Sequence, residues 1–184
     1  QVHSRLADVI AAYQRALTGV PVRWVASDNI HLTLKFLGDV SVANLDYLKK
    51  LLHTEVAGYK SFELSVGGSG AFPTVHRPRV IWVGVQAPAD LGQVQSSVES
   101  MAARLGYPAE ERPFSPHLTL GRVGRNASPP DFHRIASVLE KEKVGFLGAF
   151  CVRSVELYKS DLLPSGAVYT NIYTAPLGAE HPKP

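Results

Sequence analysis

Apolar residues recur at helical intervals in four stretches of the chain. Leu6, Val9, Ile10, Tyr13 and Leu17 mark the first, and Leu45, Leu48 and Leu52 the second. Leu91, Val94, Val98, Met101, Ala102 and Leu105 mark the third, and Phe132, Ile135 and Leu139 the fourth. Each spacing predicts an amphipathic helix. Between them the pattern shifts to strand-like runs: Ile30 to Leu37, then Phe62, Leu64 and Val66, Arg79 to Gln86, and His117 to Leu120. Val144 and Phe146, Val152 to Tyr158, and Val168 to Tyr173 complete the strand set. Polar segments at Gly38 to Ser41 and Gly124 to Pro130 read as loops.

The order of these elements repeats. A helix, a His-Leu-Thr-Leu run, a polar loop, a second helix and a strand occur in both halves, and the two tetrapeptides begin at His31 and His117, 86 residues apart. A repeated tetrapeptide alone carries little weight; the same flanking order at the same offset points to an internal duplication. Strands and helices without strict βαβ alternation imply an α+β fold. The expected architecture is a single bilobal domain over residues 1–184, built with pseudo-twofold symmetry from halves of about 1–73 and 74–184. Two largely antiparallel sheets would line a central cleft, with helices on the outer faces.

Composition narrows the class. The chain has 184 residues, 45% hydrophobic and 19% charged, which suits a globular protein and excludes disorder or a fibrous repeat. No apolar run is long enough to span a bilayer, so no membrane partner is expected. The first helix carries Arg5, Asp8 and Arg15 and lacks a signal-peptide core; the expected location is the cytoplasm. Cys151 is the only cysteine, which excludes an intramolecular disulfide and a cysteine-built zinc site. A net charge of +3 permits a polyanionic partner without requiring one.

On a strand, side chains alternate between faces, so His31, Thr33 and Lys35 share one face and Leu32, Leu34 and Phe36 the other. His117 and Thr119 likewise project opposite to Leu118 and Leu120. A lone strand histidine is usually a hydrogen-bonded core group, and threonine is favoured by strand propensity alone. Two equivalent His/Thr pairs on equivalent faces instead suggest a shared polar task. Two imidazoles, one taking a proton and one giving it, with hydroxyls to hold non-bridging oxygens, are the groups that phosphodiester hydrolysis requires. A metal hydrolase is a poor fit: two histidines, with Asp28 and Asp39 flanking only the first motif, supply too few ligands.

These residues resemble the two-histidine (2H) phosphoesterase superfamily, and more closely its bacterial and archaeal RNA 2′,3′-cyclic phosphodiesterase branch, also called the 2′-5′ RNA ligase family. The resemblance runs along NIHLTLKFLGDV, GAFP with RPRVIWVGV, FSPHLTLGRV and LLPSGAVYTNIY. It implies a metal-independent, cofactor-free hydrolase that opens RNA 2′,3′-cyclic phosphate ends to 2′-phosphates. By position, His31 would be the general acid and His117 the base that activates water. Thr33 and Thr119 would contact phosphate. Arg122 matches a family arginine with the same role, although strict alternation puts it on the wrong face unless Gly121 allows a bulge. Lys35, Phe72 and Phe114 are further candidates for RNA contact, the aromatics by stacking a base; Phe36 and Trp82 lie in apolar strand runs and read as core. His3, His53, His76, His133 and His181 have no motif context and read as surface residues.

RNA ends or small cyclic nucleotides are the expected partners, with no obligate protein partner. Ligation of RNA 2′-5′ ends, hydrolysis of another cyclic or 2′-linked nucleotide, and a non-catalytic RNA-end binding module remain alternatives. One expectation concerns the chain itself. The run Arg79 to Gln86 precedes the third helix, and its counterpart before the first helix would fall ahead of residue 1. The native protein should therefore carry roughly ten further N-terminal residues forming a strand, as a repeat matched element for element requires. Sequencing the encoding reading frame checks this, and a start codon directly at Gln1 contradicts it.

Overall fold

The computed structural model describes residues 1–86, 88–163 and 166–178; His181 and the Pro164–Ser165 step of the LLPSGAVYTNIY motif lie outside them. The helices fall where the apolar periodicity places them: α1 (Val2–Ala16), α2 (Leu45–Val56), α3 (Ala89–Arg104) and α4 (Pro129–Lys141). None among the described residues is long and apolar enough to cross a membrane. The strands are β1 (Val22–Trp24), β2 (Phe62–Phe72), β3 (Val80–Gln86), β4 (His117–Val123), β5 (Phe146–Val152), β6 (Ser154–Leu163) and β7 (Gly166–Pro176). Every strand pairing with a described register is antiparallel, which together with the helices makes the fold α+β.

The chain divides into two compact units, each drawing segments from both halves of the sequence. The first contains residues 1–32, 64–86 and 116–150, and therefore α1 and α4. Its five-stranded sheet runs β1-β4-β3-β2-β5. Ile81, Val83 and Leu120 are fully buried on one face of this sheet, where Tyr13 of α1 is also buried. The Tyr13 hydroxyl lies 2.9 Å from Ser69 Oγ and 3.2 Å from the Glu142 carbonyl, so this large core side chain keeps its polar end satisfied. At the C-terminus of α1, Arg134 of α4 donates to the Ala16 and Thr18 carbonyls, meeting acceptors that a helix end leaves open. α4 starts on a capping box: Ser128 and Asp131 bond reciprocally, with Pro129 at the first helical position.

The second unit contains residues 33–63, α3 with the segment to Ser115, and the β6–β7 hairpin. α2 buries Leu48, Leu52 and Val56, and α3 buries Leu91, Val94, Val98, Met101 and Ala102. Arg104 pairs with Glu55 at 2.6 Å, tying the two helices together, and Tyr59 just beyond α2 meets Ser97 of α3 at 2.6 Å.

One predicted strand is not a strand. Over Ile30 to Leu37 only Leu32 pairs, in a single antiparallel bridge to Leu118. The cause is the supply of partners. β1 already occupies the outer edge of β4 at 121–123. The chain then leaves through a 3-10 turn at Ser27–Asn29 and rejoins near the start of β4, which begins at His117. Beyond Leu32 almost no β4 remains to pair with. The alternation Leu32, Leu34, Phe36 therefore buries nothing fully, and Phe36, read as core, is 69% exposed.

Lys35 also differs from its expected role. Its ammonium sits 2.6 Å from Glu99 Oε1 and 2.5 Å from the Pro108 carbonyl, and only 5% of its side chain is exposed. It is a packing cation inside the second unit and is not presented to RNA. Burial raises the Glu99 carboxyl pKa, but the Lys35 ammonium and the Glu110 amide more than offset it, so the group titrates below its ordinary range. A lowered folded pKa contributes stability that is complete above the ordinary carboxylate range and lost as pH falls through the lowered value. Lys35→Met, which strands a largely desolvated carboxylate, should lower stability by roughly 2–4 kcal/mol. Urea unfolding at neutral pH measures that loss; repeated at acid pH, it should show the difference between variant and parent shrinking as Glu99 protonates.

Candidate active site

The Leu32–Leu118 bridge joins the second residue of one His-Leu-Thr-Leu run to the second residue of the other. An antiparallel pair centred on equivalent positions has a local twofold axis through the pair, so whatever flanks one leucine is matched around the other. His31 and His117 each immediately precede a bridged leucine. Since neighbours of a bridged residue point to the opposite face, both imidazoles leave the Leu32/Leu118 face together. They occupy diagonal positions, for which pairing geometry sets the two residues roughly 7–8 Å apart, with their side-chain bases somewhat closer. Both rings are half-buried.

His31 is oriented by the turn that displaced it. Its Nδ1 lies 2.8 Å from the Asn29 carbonyl. A carbonyl only accepts, so Nδ1 carries the hydrogen in this contact. Asn29 closes the 3-10 turn, whose own amides bond back to Ala26 and Ser27 at 2.8 and 3.2 Å.

His117 opens β4, opposite Gly84 of β3. Glycine there leaves the position across from the imidazole without a side chain, and a Cβ would come within 2.9 Å of the Gly67 carbonyl oxygen. The Phe72 ring meets His117 edge to face, centroids 4.9 Å apart at 81°, and stands 5.2 Å from Trp82. Trp82 lies opposite both Thr119 and Gly70 in the two ladders, and a Cβ at Gly70 would fall 2.5 Å from its ring. Trp82, assigned to the core by its apolar run, is instead half-buried on the histidine face, its indole N–H buried without a partner among the described residues.

The bulge expected around Gly121 is present. Against β3, Trp82 pairs with Thr119 and Ile81 with Gly121, leaving Leu120 as the additional residue. Pairing then continues with Val80 opposite Arg122. Val80 and Trp82 share a face of β3, and directly opposed residues project to the same side, so the bulge returns Arg122 to the face of His117 and Thr119. Arg122 is exposed there, directly opposite Arg23 of β1, also exposed. Neither motif spacing nor composition singled out Arg23; only the register reveals its place.

Of the residues anticipated from sequence, His31, His117, Thr119, Arg122 and Phe72 thus belong to the first unit, the last four on one sheet face and His31 beside it. Thr33, two residues after His31 in the chain, and Phe114, in the segment before β4, belong to the second unit and are half-buried. His3, His53, His76 and His133 are exposed, as expected, and His3 pairs with Asp28 at 3.1 Å. No group of three or more His, Cys, Asp or Glu side chains among the described residues is arranged to hold a metal ion.

The chain is 34% identical over 151 residues to an RNA 2′,3′-cyclic phosphodiesterase of Methanothermobacter thermautotrophicus, covering 82% of this chain and 80% of that protein. It is 35% identical over 159 residues to an RNA 2′,3′-cyclic phosphodiesterase of Archaeoglobus fulgidus, covering 86% of each. Among solved structures it resembles Escherichia coli LigT complexed with 3′-AMP, with a TM-score of 0.70 and 28% identity over 94% of this chain and 91% of that one. The family model described as LigT like phosphoesterase matches twice, over residues 1–82 and 83–169, and with those relatives at 34% and 35% identity it establishes that the chain belongs to this family.

Proposed function

We propose that this protein hydrolyses RNA 2′,3′-cyclic phosphate ends to 2′-phosphates, with His31 and His117 as the acid–base pair. The observation that carries the reading is the bridge between equivalent leucines, which sends one imidazole from each motif out of the same side of one antiparallel pairing. The relatives named RNA 2′,3′-cyclic phosphodiesterase support the reaction class.

The site's chemistry follows from what each group can do. A cyclic phosphate is attacked by water opposite the departing 3′ oxygen. A base on one side accepts the water proton while an acid on the other delivers a proton to that oxygen; one P–O bond forms, one breaks, and the 2′ ester survives. Two imidazoles on diagonal positions flank a phosphate in this sense. His31, with Nδ1 committed to Asn29, presents Nε2–H as the acid when protonated. His117, held edge-on by Phe72, serves as the base. After one turnover the two have exchanged protonation states, and solvent restores them. Thr119 and Arg122, on the histidine face, would hold the non-bridging oxygens as negative charge develops. Thr33 as the hydroxyl partner of His31 rests on the repeated motif. Phe72 and Trp82 supply an aromatic wall on the β2–β3 side for the terminal base.

The reading includes the duplication of two similar halves inferred from the repeat, RNA ends or small cyclic nucleotides as partners, and a cytoplasmic location. It requires neither a metal nor a cofactor, because imidazoles carry the protons.

Three outcomes follow. His31→Ala and His117→Ala should each cut single-turnover hydrolysis by about 10² or more with little change in melting temperature. The parent's rate should trace a bell-shaped pH profile reporting the coupled pair. If the histidines are structural, the variants lose melting temperature and keep their rate per folded molecule. Exhaustive EDTA treatment should leave turnover intact; loss of activity that zinc or manganese restores contradicts the two-histidine reaction.

A further inference from the structure

Arg23 and Arg122 face each other in the β1–β4 ladder, on the sheet face that carries His117 and Thr119. Directly opposed like charges work against a sheet. Three other arginines of the first unit are used by the fold: Arg5 donates to the Leu147 carbonyl, Arg79 lies over the Phe132 ring, and Arg134 caps α1. Arg23 and Arg122 are exposed, and among the described residues neither has a carboxylate or carbonyl partner. A like-charged pair kept exposed on the face that carries His117 and Thr119 suits an anionic ligand.

The two arginines also have distinct positions. Arg122 lies on β4 itself, the strand that carries His117. Arg23 is at the same level but one strand spacing, about 4.7–4.9 Å, further toward the open side of the sheet. The aromatic wall of Phe72 and Trp82 lies on the other side, on β2 and β3. A nucleotide with its cyclic phosphate at the histidines and its base toward the aromatics therefore has its remaining chain directed over β1.

We infer that Arg23 binds the phosphodiester on the 5′ side of the terminal nucleotide, so that the site favours RNA ends over cyclic mononucleotides. This rests on the proposed phosphodiesterase reading and adds a second anion subsite to it. Arg122 serves the reacting phosphate, common to all substrates; Arg23 serves a phosphate that only an oligonucleotide has. Guanidinium contacts to phosphate are charge-assisted and bidentate, and lysine replaces them in charge but not in geometry.

The test is a ratio: kcat/KM for the dinucleotide ApA ending in a 2′,3′-cyclic phosphate, divided by that for adenosine 2′,3′-cyclic phosphate. Arg23→Gln should lower this ratio about tenfold, as expected for loss of one charged contact. Arg23→Lys should retain part of it, and Arg122→Gln should depress both substrates with a smaller change in ratio. A ratio in Arg23→Gln within twofold of the parent overturns the inference. Calorimetric titration with ApA ending in a 2′-phosphate and with adenosine 2′-phosphate repeats the comparison without turnover. If the parent hydrolyses neither substrate, the phosphodiesterase reading fails, and the ratio of Kd values alone decides Arg23: a parent that binds both ligands equally also overturns the subsite.

Discussion

A single backbone pairing, Leu32 with Leu118, organises the proposed chemistry of this protein. A histidine pair can be built in many ways, but two strands of different sequence would need separate adjustments to aim each ring. Here the bridged segments are the same tetrapeptide, and an antiparallel contact between equivalent residues makes the two sides alike. One interaction thus sends both imidazoles out of the same face from diagonal positions. The leucines are the cost of this arrangement in sequence terms: each must pack while its neighbour remains available to solvent and substrate.

The surrounding sheet supplies what a bridge alone lacks. β4 lies between β1 and β3, but β1 reaches only residues 121–123, so His117 and Thr119 project from a stretch held by β3 on one edge and by the Leu32 bridge on the other. The additional residue at Leu120 turns the far half of β4 over by one position, which moves Arg122 to the working face and keeps Val123 buried. Glycines opposite His117 and beneath Trp82 keep that face low, where any side chain would meet backbone or ring. The two imidazoles differ in their supports: a turn carbonyl for His31, an aromatic edge for His117. That difference is the basis for proposing unlike roles for nearly symmetric motifs.

Much of this was legible from the chain. Helix faces such as Leu6, Ile10 and Tyr13, or Val94, Val98 and Met101, declare themselves by period, because burial of a stripe is what a helix needs from its sequence. The two His-Leu-Thr-Leu runs marked the candidate site, and Gly121 hinted at the bulge beside Arg122. What failed depended on partners. The alternation from Ile30 to Leu37 describes a strand only if another strand lies alongside, and β4 ends too soon. Lys35 had the facing of a site residue, but nothing local foretells a carboxylate 64 residues away. Arg23 and Trp82 gained their significance from register, which pattern along one chain does not encode.

The central claim is that one imidazole of the pair protonates the 3′ oxygen while the other delivers water from the opposite side. The most direct measurement is the isomer produced from an oligonucleotide ending in a 2′,3′-cyclic phosphate, hydrolysed in ¹⁸O-labelled water and resolved by phosphorus NMR and mass spectrometry. The account predicts a 2′-phosphate carrying a single labelled oxygen. A 3′-phosphate as the main product, or an unaltered cyclic end, would contradict it.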